Sequence, residues 1–383
     1  MPDVRDILKE KLPPALVQPL RAAYFRLFRH PAPQTVPFDA LFPAVQKHEY
    51  VPPRSVPVPV MPHPFVRQAQ SLATSAYTMP EDYVAVLDDV EFCPTNNVVL
   101  RSDKRILYES LNTGQLPNID LRALYVRSTD RIAGYATPLH SLYNNYYHDI
   151  VDGLPRLLAL HGPPFDALPH IAVLHSAPLS DHQRFFVERV LPPNATLRHV
   201  PEGRRYVVEH LLFTPFKTRR FAGYMPPPYV RELRTRFGPD GPVERGRRLF
   251  ISRERAGKRF ITNREALLRE VLEPLGFESV TLETMAPAEQ LACMHQAEAV
   301  VGAHGAGLAN VLFAPAGTRV IELFPAHFMV PHYFFLCQSL GHPYAAWCGT
   351  ATARDPGGFA VDLAAVHERL HVLLSSPATA AAL

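Results

Sequence analysis

His148 and Asp152 stand four residues apart in the string Asn145-Tyr146-Tyr147-His148-Asp149-Ile150-Val151-Asp152-Gly153-Leu154-Pro155-Arg156. On a helix that spacing puts both side chains on one face. An imidazole beside a carboxylate can serve as a general base and its orienter. The same spacing also makes an ordinary local hydrogen bond, and the pair taken alone reads more simply that way. Pro155 is expected to end or kink the helix, leaving both groups near a helix end. Asp149 falls on a different face and is expected to stand apart from the pair.

A second group is Gly302-Ala303-His304-Gly305-Ala306-Gly307-Leu308-Ala309-Asn310. It follows an apolar run and opens a helical one. Glycines there let backbone approach a ligand, and the N–H groups of a helix start attract anions. His304, Gly305, Ala306, Gly307 and Asn310 are the candidate contacts. The string is not G-x-G-x-x-G, and by itself it reads equally well as a tight connection with a structural His304.

Arginine tips the balance. Residues 231–259 hold ten basic and four acidic side chains, a net +6 in a chain whose total is +3. Arg253 and Arg259 flank the loop after a strand-like run, Arg248–Ser252. Ligands of open parallel sheets bind beyond the carboxyl ends of the strands. Arginine there suits a bidentate grip on phosphate. Two arginines and the glycine turn at equivalent strand ends indicate a diphosphate site. Glu322 closes the run RVIEL, where an acid can take ribose hydroxyls; a strand-end salt bridge fits that position equally well. G-x-S-x-G, GxxxxGK[ST] and Asp-x-Asp are all absent from the sequence. No metal or cofactor is therefore expected, and arginines with helix N–H groups would have to neutralise a leaving diphosphate.

The elements that must position these groups are clearest after residue 240. Strands are expected at Arg248–Ser252, Glu278–Leu282, Ala299–Gly302, Arg319–Leu323 and Tyr344–Trp347. Helices alternate with them: one capped by Asn263 and ending at Gly276, one from Pro287 to about Ala297, then Gly305–Phe313 and Tyr333–Leu340. That alternation is the pattern of a parallel sheet wound with helices, a Rossmann-like α/β domain. Residues 360–376 read as a docked amphipathic helix.

Upstream the pattern is mixed. Tyr83–Leu87 and Val98–Tyr108 read as strands, and a helix is expected to begin near Ser141. His170–His175 is a buried-type strand, and Ser180 caps a helix over Asp181–Val190. A strand pair covers about Tyr206–Phe213, and Pro226-Pro227-Pro228 marks a boundary. Ten prolines in residues 31–64 exclude regular helix or central strand and suggest an extended surface arm.

With 383 residues, 47% apolar and 20% charged, the chain has room for two or three domains and a large core. A net charge of +3 is too small for a nucleic-acid binder as a whole. Cys93, Cys293, Cys337 and Cys348 have neither zinc-ligand spacing nor the density of a disulfide framework, which favours a reducing compartment. No apolar run spans a membrane and the N-terminus lacks a signal-peptide core, so a cytoplasmic location is expected. Residues 1–30 carry an excess of three positive charges. A solvated helix there is the simpler reading, and a peripheral contact with the inner face of a membrane is the alternative. Arginine outnumbers lysine 33 to 6, which hints at a bacterial source.

Taken together, these residues resemble the family 61 glycosyltransferases, a group that includes capsular polysaccharide biosynthesis proteins. The resemblance runs through Ser252-Arg253, Arg259, Asn263, Gly276-Phe277-Glu278, Glu289-Gln290, Val301 to Leu308, Asn310, Phe313 and Ile321-Glu322-Leu323. Upstream it takes in Asn145-Tyr146-Tyr147-His148, Asp152 and Leu154-Pro155-Arg156. Arg264 and Ala309 depart from the usual pattern. The resemblance implies a GT-B architecture, two Rossmann-like domains facing across a cleft. The division expected is a basic and Pro-rich segment at 1–64, an acceptor-side domain at 65–235, a nucleotide-sugar domain at 236–350 and a tail at 351–383. It also implies inverting, metal-independent transfer of a sugar from a nucleoside diphosphate to a glycan or polysaccharide hydroxyl. Asp152 is then the expected base and His148 its helper. The rival expectation is an inactive nucleotide-sugar-binding subunit of a polysaccharide assembly complex, and a third is an epimerase or hydrolase.

Overall fold

The computed structural model describes residues 34–57, 76–111, 120–126, 129–139, 145–215, 222–325, 328–351 and 357–375. The first half contributes β1 (Thr35–Val36), β2 (Lys47–Val51), β3 (Arg54–Pro57), β4 (Ala76–Met79), β5 (Asp82–Cys93), β6 (Val98–Leu100), β7 (Ile106–Leu107), β8 (Thr129–Pro138), β9 (Ile171–His175), β10 (Ala195–His199) and β11 (Arg205–Phe213). The second half contributes β12 (Arg247–Ile251), β13 (Phe260–Ile261), β14 (Phe277–Val280), β15 (Ala297–Ala303), β16 (Arg319–Pro325), β17 (Tyr344–Ala351) and β18 (Gly358–Ala360).

Nine of these strands form one mixed sheet in the order β1-β7-β6-β5-β11-β8-β9-β10, with β2 also paired to β5. The stretch β11-β8-β9-β10 is parallel, and β5 is antiparallel to β11, β6 and β2. A second sheet runs β13-β18-β17-β16-β15-β12-β14, while β3 and β4 make a separate ribbon. Within the second sheet β14-β12-β15-β16-β17 are parallel throughout. The apolar runs of the inner strands β12, β15 and β16 are buried on both faces, as covered parallel strands must be. In chain order these five strands lie second, first, third, fourth, fifth. The direction of winding therefore reverses between β12 and β15, and such a reversal opens a crevice at the carboxyl ends of those two strands.

One apolar core joins the halves. Leu154, Phe186 and Val230 from the first half pack with Leu308, Phe313 and Leu336 from the second. Phe186 stacks on Phe313 with ring centroids 5.2 Å apart. Helices Asp181–Val190 and Pro227–Phe237 are thereby seated against Ala306–Phe313 and His332–Leu340. Separate cores cover the outer faces of the two sheets.

Most expected elements are present, with differences that have physical reasons. Ser180 makes a full capping box with Gln183 at the start of Asp181–Val190. The tail helix Leu363–Ser375 buries Val366 and Leu370. The proline triplet opens the helix Pro227–Phe237, because proline suits a first helical turn. Tyr206–Phe213 lies in one strand, not a pair, since its partners β5 and β8 come from distant sequence. β3, β4, β8, β10, β13 and β18 lie outside the strands expected from the sequence. Val98–Tyr108 is two short strands around a turn at residues 101–105. The surface arm expected over 31–64 is corrected for its described part, 34–57: β1 and β2 join the large sheet, and Phe38 and Leu41 are buried in its core. Among the described residues Pro37 follows β1 and Pro52 and Pro53 follow β2, where a missing N–H is tolerated. The basic segment 1–30 and the expected helix start near Ser141 lie outside the described residues. Among the described residues no helix is long and apolar enough to cross a membrane.

Candidate active site

Asn145 begins the first functional element by accepting a hydrogen bond from the His148 N–H at 3.2 Å. The helix Tyr146–His148 widens over Asp149–Gly153 into a turn in which the Leu154 N–H reaches Asp149 O, then resumes over Leu154–Leu158. Pro155 offers no N–H and its ring crowds the preceding turn. The widened turn absorbs both effects, so the helix continues through the proline. On this turn His148 Nδ1 lies 2.5 Å from Asp152 Oδ2, with the side chains 15% and 7% exposed. The expected pair is therefore formed. Asp149 stands apart from the pair on another face, as a buried anchor that accepts a hydrogen bond from Gln183 Nε2 at 2.8 Å.

The glycine turn follows β15. His304 donates its backbone N–H to Leu323 O at 2.8 Å, and its Nδ1 is hydrogen-bonded to Glu322 Oε1. The Tyr344 hydroxyl donates to the other oxygen, Oε2, at 2.6 Å. Glu322 is 0% exposed, so the expected ribose contact is corrected. β16 runs on to Pro325, which places Glu322 inside the sheet, in register with Gly302 and Ala346, and not at a strand end. Burial pushes the Glu322 carboxyl well above the usual carboxylate range. Burial, with the Arg259 and Arg253 charges, holds the His304 imidazole down to about 3. Burial disfavours the charged form of both groups, and Nδ1 is the ring nitrogen that Glu322 engages.

Tyr333 donates its hydroxyl to Gly305 O at 2.6 Å and sets its ring edge-on to both His304 and Tyr147, at 5.6 and 5.5 Å. Tyr147 in turn stacks on His332 at 5.4 Å. Tyr146 donates to Asn310 Oδ1 at 2.8 Å, and Asn310 Nδ2 donates to Gly307 O at 3.1 Å. Asn310 is 1% exposed with both ends of its amide engaged. It braces the turn against the His148 helix and does not face a ligand, which corrects its expected role. Tyr146 and Tyr147 belong to the sequence motif around His148 and Tyr333 to an expected helix start, but the sequence assigns none of them a role. Their contacts join elements far apart in the chain, and no local spacing marks them.

Arg253 lies directly over Gly305. A Cβ at residue 305 would sit 1.7 Å from Arg253 Nη1 and 2.5 Å from Cζ. Gly305 has extended backbone with φ 175°, so it is this close approach that requires glycine there. Arg253 Nη2 donates to Lys258 O at 3.2 Å, while its buried Nε has no partner among the described residues. Arg259 adopts a left-handed φ of 61° and places its guanidinium 5.1 Å from the Phe328 ring centroid. Burial lowers both guanidinium pKa values, and for Arg253 the charge of Arg259 lowers it further. Among the described residues neither makes a direct ion pair, although Glu283 acts on Arg253 and Glu322 on Arg259 at longer range. Two partly buried like charges without a directly paired carboxylate form a site suited to an anion.

A cavity of about 500 Å³ opens beside Arg253, lined also by Ile251, Thr262, Asn263, Arg264 and Ala303. It lies at the carboxyl ends of β12 and β15, where the winding reverses. Asn263 does not cap its helix. Its amide bridges the backbone of Val361, donating to O at 2.8 Å and accepting from N–H at 3.0 Å. Ala306 and Gly307 form the first turn of Ala306–Phe313, below Arg253. Gly305→Ala is expected to displace the Arg253 guanidinium while leaving the fold intact, because the atoms that must move end a flexible side chain. Calorimetry should show weaker anion binding with an unchanged melting temperature.

Residues 146–321 match the family model described as Glycosyltransferase 61. The chain is also 26% identical over 220 residues to the beta-1,2-xylosyltransferase XAX1 of rice, Oryza sativa subsp. japonica. That match covers 51% of this chain and 36% of the rice protein. The matched stretch runs from the helix of His148 and Asp152, through Arg253 and the glycine turn, to β16. The chain thus carries, over residues 146–321, a domain of the glycosyltransferase 61 family.

Proposed function

We propose that this protein is an inverting, metal-independent glycosyltransferase that moves a sugar from a nucleoside diphosphate to a hydroxyl of a glycan. The observation that carries the reading is the pair Arg253 and Arg259, partly buried and without a direct ion pair among the described residues, beside Gly305 at the strand ends. The family match and the printed activity of the rice relative support the reaction class. On this reading the halves correspond to the two domains of a GT-B enzyme, with residues 236–350 holding the donor and residues 65–235 the acceptor. The diphosphate lies against Arg253, Arg259 and the His304–Gly307 turn, where the His304 ring can donate to a phosphate oxygen.

Transfer is then a single displacement. The acceptor oxygen forms a bond to the anomeric carbon as the bond from that carbon to the diphosphate breaks. The hydroxyl proton passes to the His148–Asp152 pair, and the guanidiniums hold the charge of the departing diphosphate. Chain position favoured Asp152 as the base. The geometry favours the reverse: Asp152 is the more buried member and engages Nδ1, which orients His148 to receive the proton at Nε2. Tyr147 and Tyr333 carry the connection from this pair to the glycine turn.

The charge on the diphosphate is met by arginine in this scheme. Calorimetry with a nucleoside diphosphate is therefore expected to give similar affinity in EDTA and in magnesium, with turnover likewise unchanged. A strict metal requirement for either would sink the proposal. The rice relative's name makes a nucleoside diphosphate xylose the first donor to test. Nucleotide binding without transfer to any acceptor would favour the inactive binding subunit instead.

A further inference from the structure

A second cavity, of about 360 Å³, lies at the far end of Ala306–Phe313 from the glycine turn. Its walls include Leu233, Phe237, Val243, Leu312 and Phe313. It shares no lining residue with the cavity beside Arg253. Carbonyl-bearing helix ends meet here, but their groups are already partnered: His295 Nε2 bonds Phe237 O at 2.7 Å, and Arg234 Nη2 donates to Leu340 O at 2.7 Å.

The two arginines on its lining keep most of their donors. Arg234 uses Nη2 for Leu340, and its buried Nε has no partner among the described residues. Arg245 is exposed and donates from Nη2 to Ala316 O at 3.1 Å. Neither meets a carboxylate among the described residues. A guanidinium has five N–H donors, so each arginine retains several. Both charges also act on His342, which burial and these guanidiniums hold down to about 4; the two therefore stand in one neighbourhood. An apolar chamber of this size with a few convergent polar groups has the form of a small-molecule site.

We propose that this cavity binds a small amphipathic anion, an apolar chain or ring bearing one carboxylate or sulfonate. Its body lies against Pro239, Val243 and Pro315, the accessible apolar part of the lining above Phe237 and Phe313, and its charge meets Arg234 and Arg245. Apolar burial supplies the attraction for the body, and the two cations select an anion over a neutral molecule of the same shape.

The test titrates the full chain with anilinonaphthalene sulfonate, follows its fluorescence, and displaces it with octanoate or octan-1-ol. Saturable binding at one site is expected, with octanoate displacing the probe at about tenfold lower concentration than octan-1-ol. Arg245→Gln, at an exposed position, should weaken the probe roughly tenfold. Val243→Asp should abolish its binding, and neither change should alter the melting temperature. A saturating nucleoside diphosphate should leave the probe in place. Equal displacement by octanol, unchanged binding in both variants, or displacement by the nucleotide would each overturn the proposal.

Discussion

His148→Ala is expected to leave nucleoside diphosphate affinity unchanged and to lower turnover by about 10²–10⁴, the usual range for loss of a general base. Affinity should hold because His148 sits on the helix of the first half, and Tyr147 and Tyr333 stand between it and the glycine turn. Asp152→Asn should fall in the same range. An amide at 152 still hydrogen-bonds Nδ1, but it can donate to that nitrogen and so favour the wrong ring tautomer. Single-turnover rates with donor and acceptor, beside calorimetry with the nucleotide alone, separate the two effects. Normal turnover in Asp152→Asn with a dead His148→Ala would leave the aspartate without an orienting role. Normal turnover in both would remove the base from this helix altogether. Asp149→Asn is a poor control, because Asp149 is buried against Gln183 and its loss is a stability change.

Arg253→Ala and Arg259→Ala should each weaken nucleoside diphosphate binding by about 1.5–3 kcal/mol, the scale of a hydrogen bond to a charged group. That corresponds to roughly ten- to a hundredfold in Kd. The effect is expected to be this large because both guanidiniums are partly desolvated and no carboxylate among the described residues forms a direct ion pair with them. Folding should be unharmed or slightly improved, since each substitution relieves repulsion between the two charges. Arg253→Lys should recover only part of the affinity, because an ammonium offers a point charge in place of a fork. Calorimetry and thermal melts together decide the matter. Unchanged nucleotide affinity in both alanine variants, with intact folding, would place the diphosphate elsewhere.

The chemistry-bearing residues of the site were legible in the chain wherever the signal was local. Four-residue spacing on a helix put His148 beside Asp152. A basic cluster after a strand marked Arg253 and Arg259, and a glycine-rich strand-to-helix turn marked Gly305. Alternation of strand and helix after residue 240 led to the parallel sheet, because apolar period and cap residues act within a dozen positions of one another. Tertiary structure decided what depends on neighbours distant in sequence. Strand order placed the crevice between β12 and β15, which alternation alone cannot specify. The extension of β16 to Pro325 took Glu322 into the sheet, where His304 and Tyr344 claim its oxygens, so a carboxylate expected at the surface became a buried positioning group. Asn310 became a brace because Tyr146 of the first half reaches it across the shared core, and Tyr333 acquired its place between the halves the same way. Hydrogen-bond partners of buried polar groups are settled by packing, and packing brings together residues that no spacing rule connects.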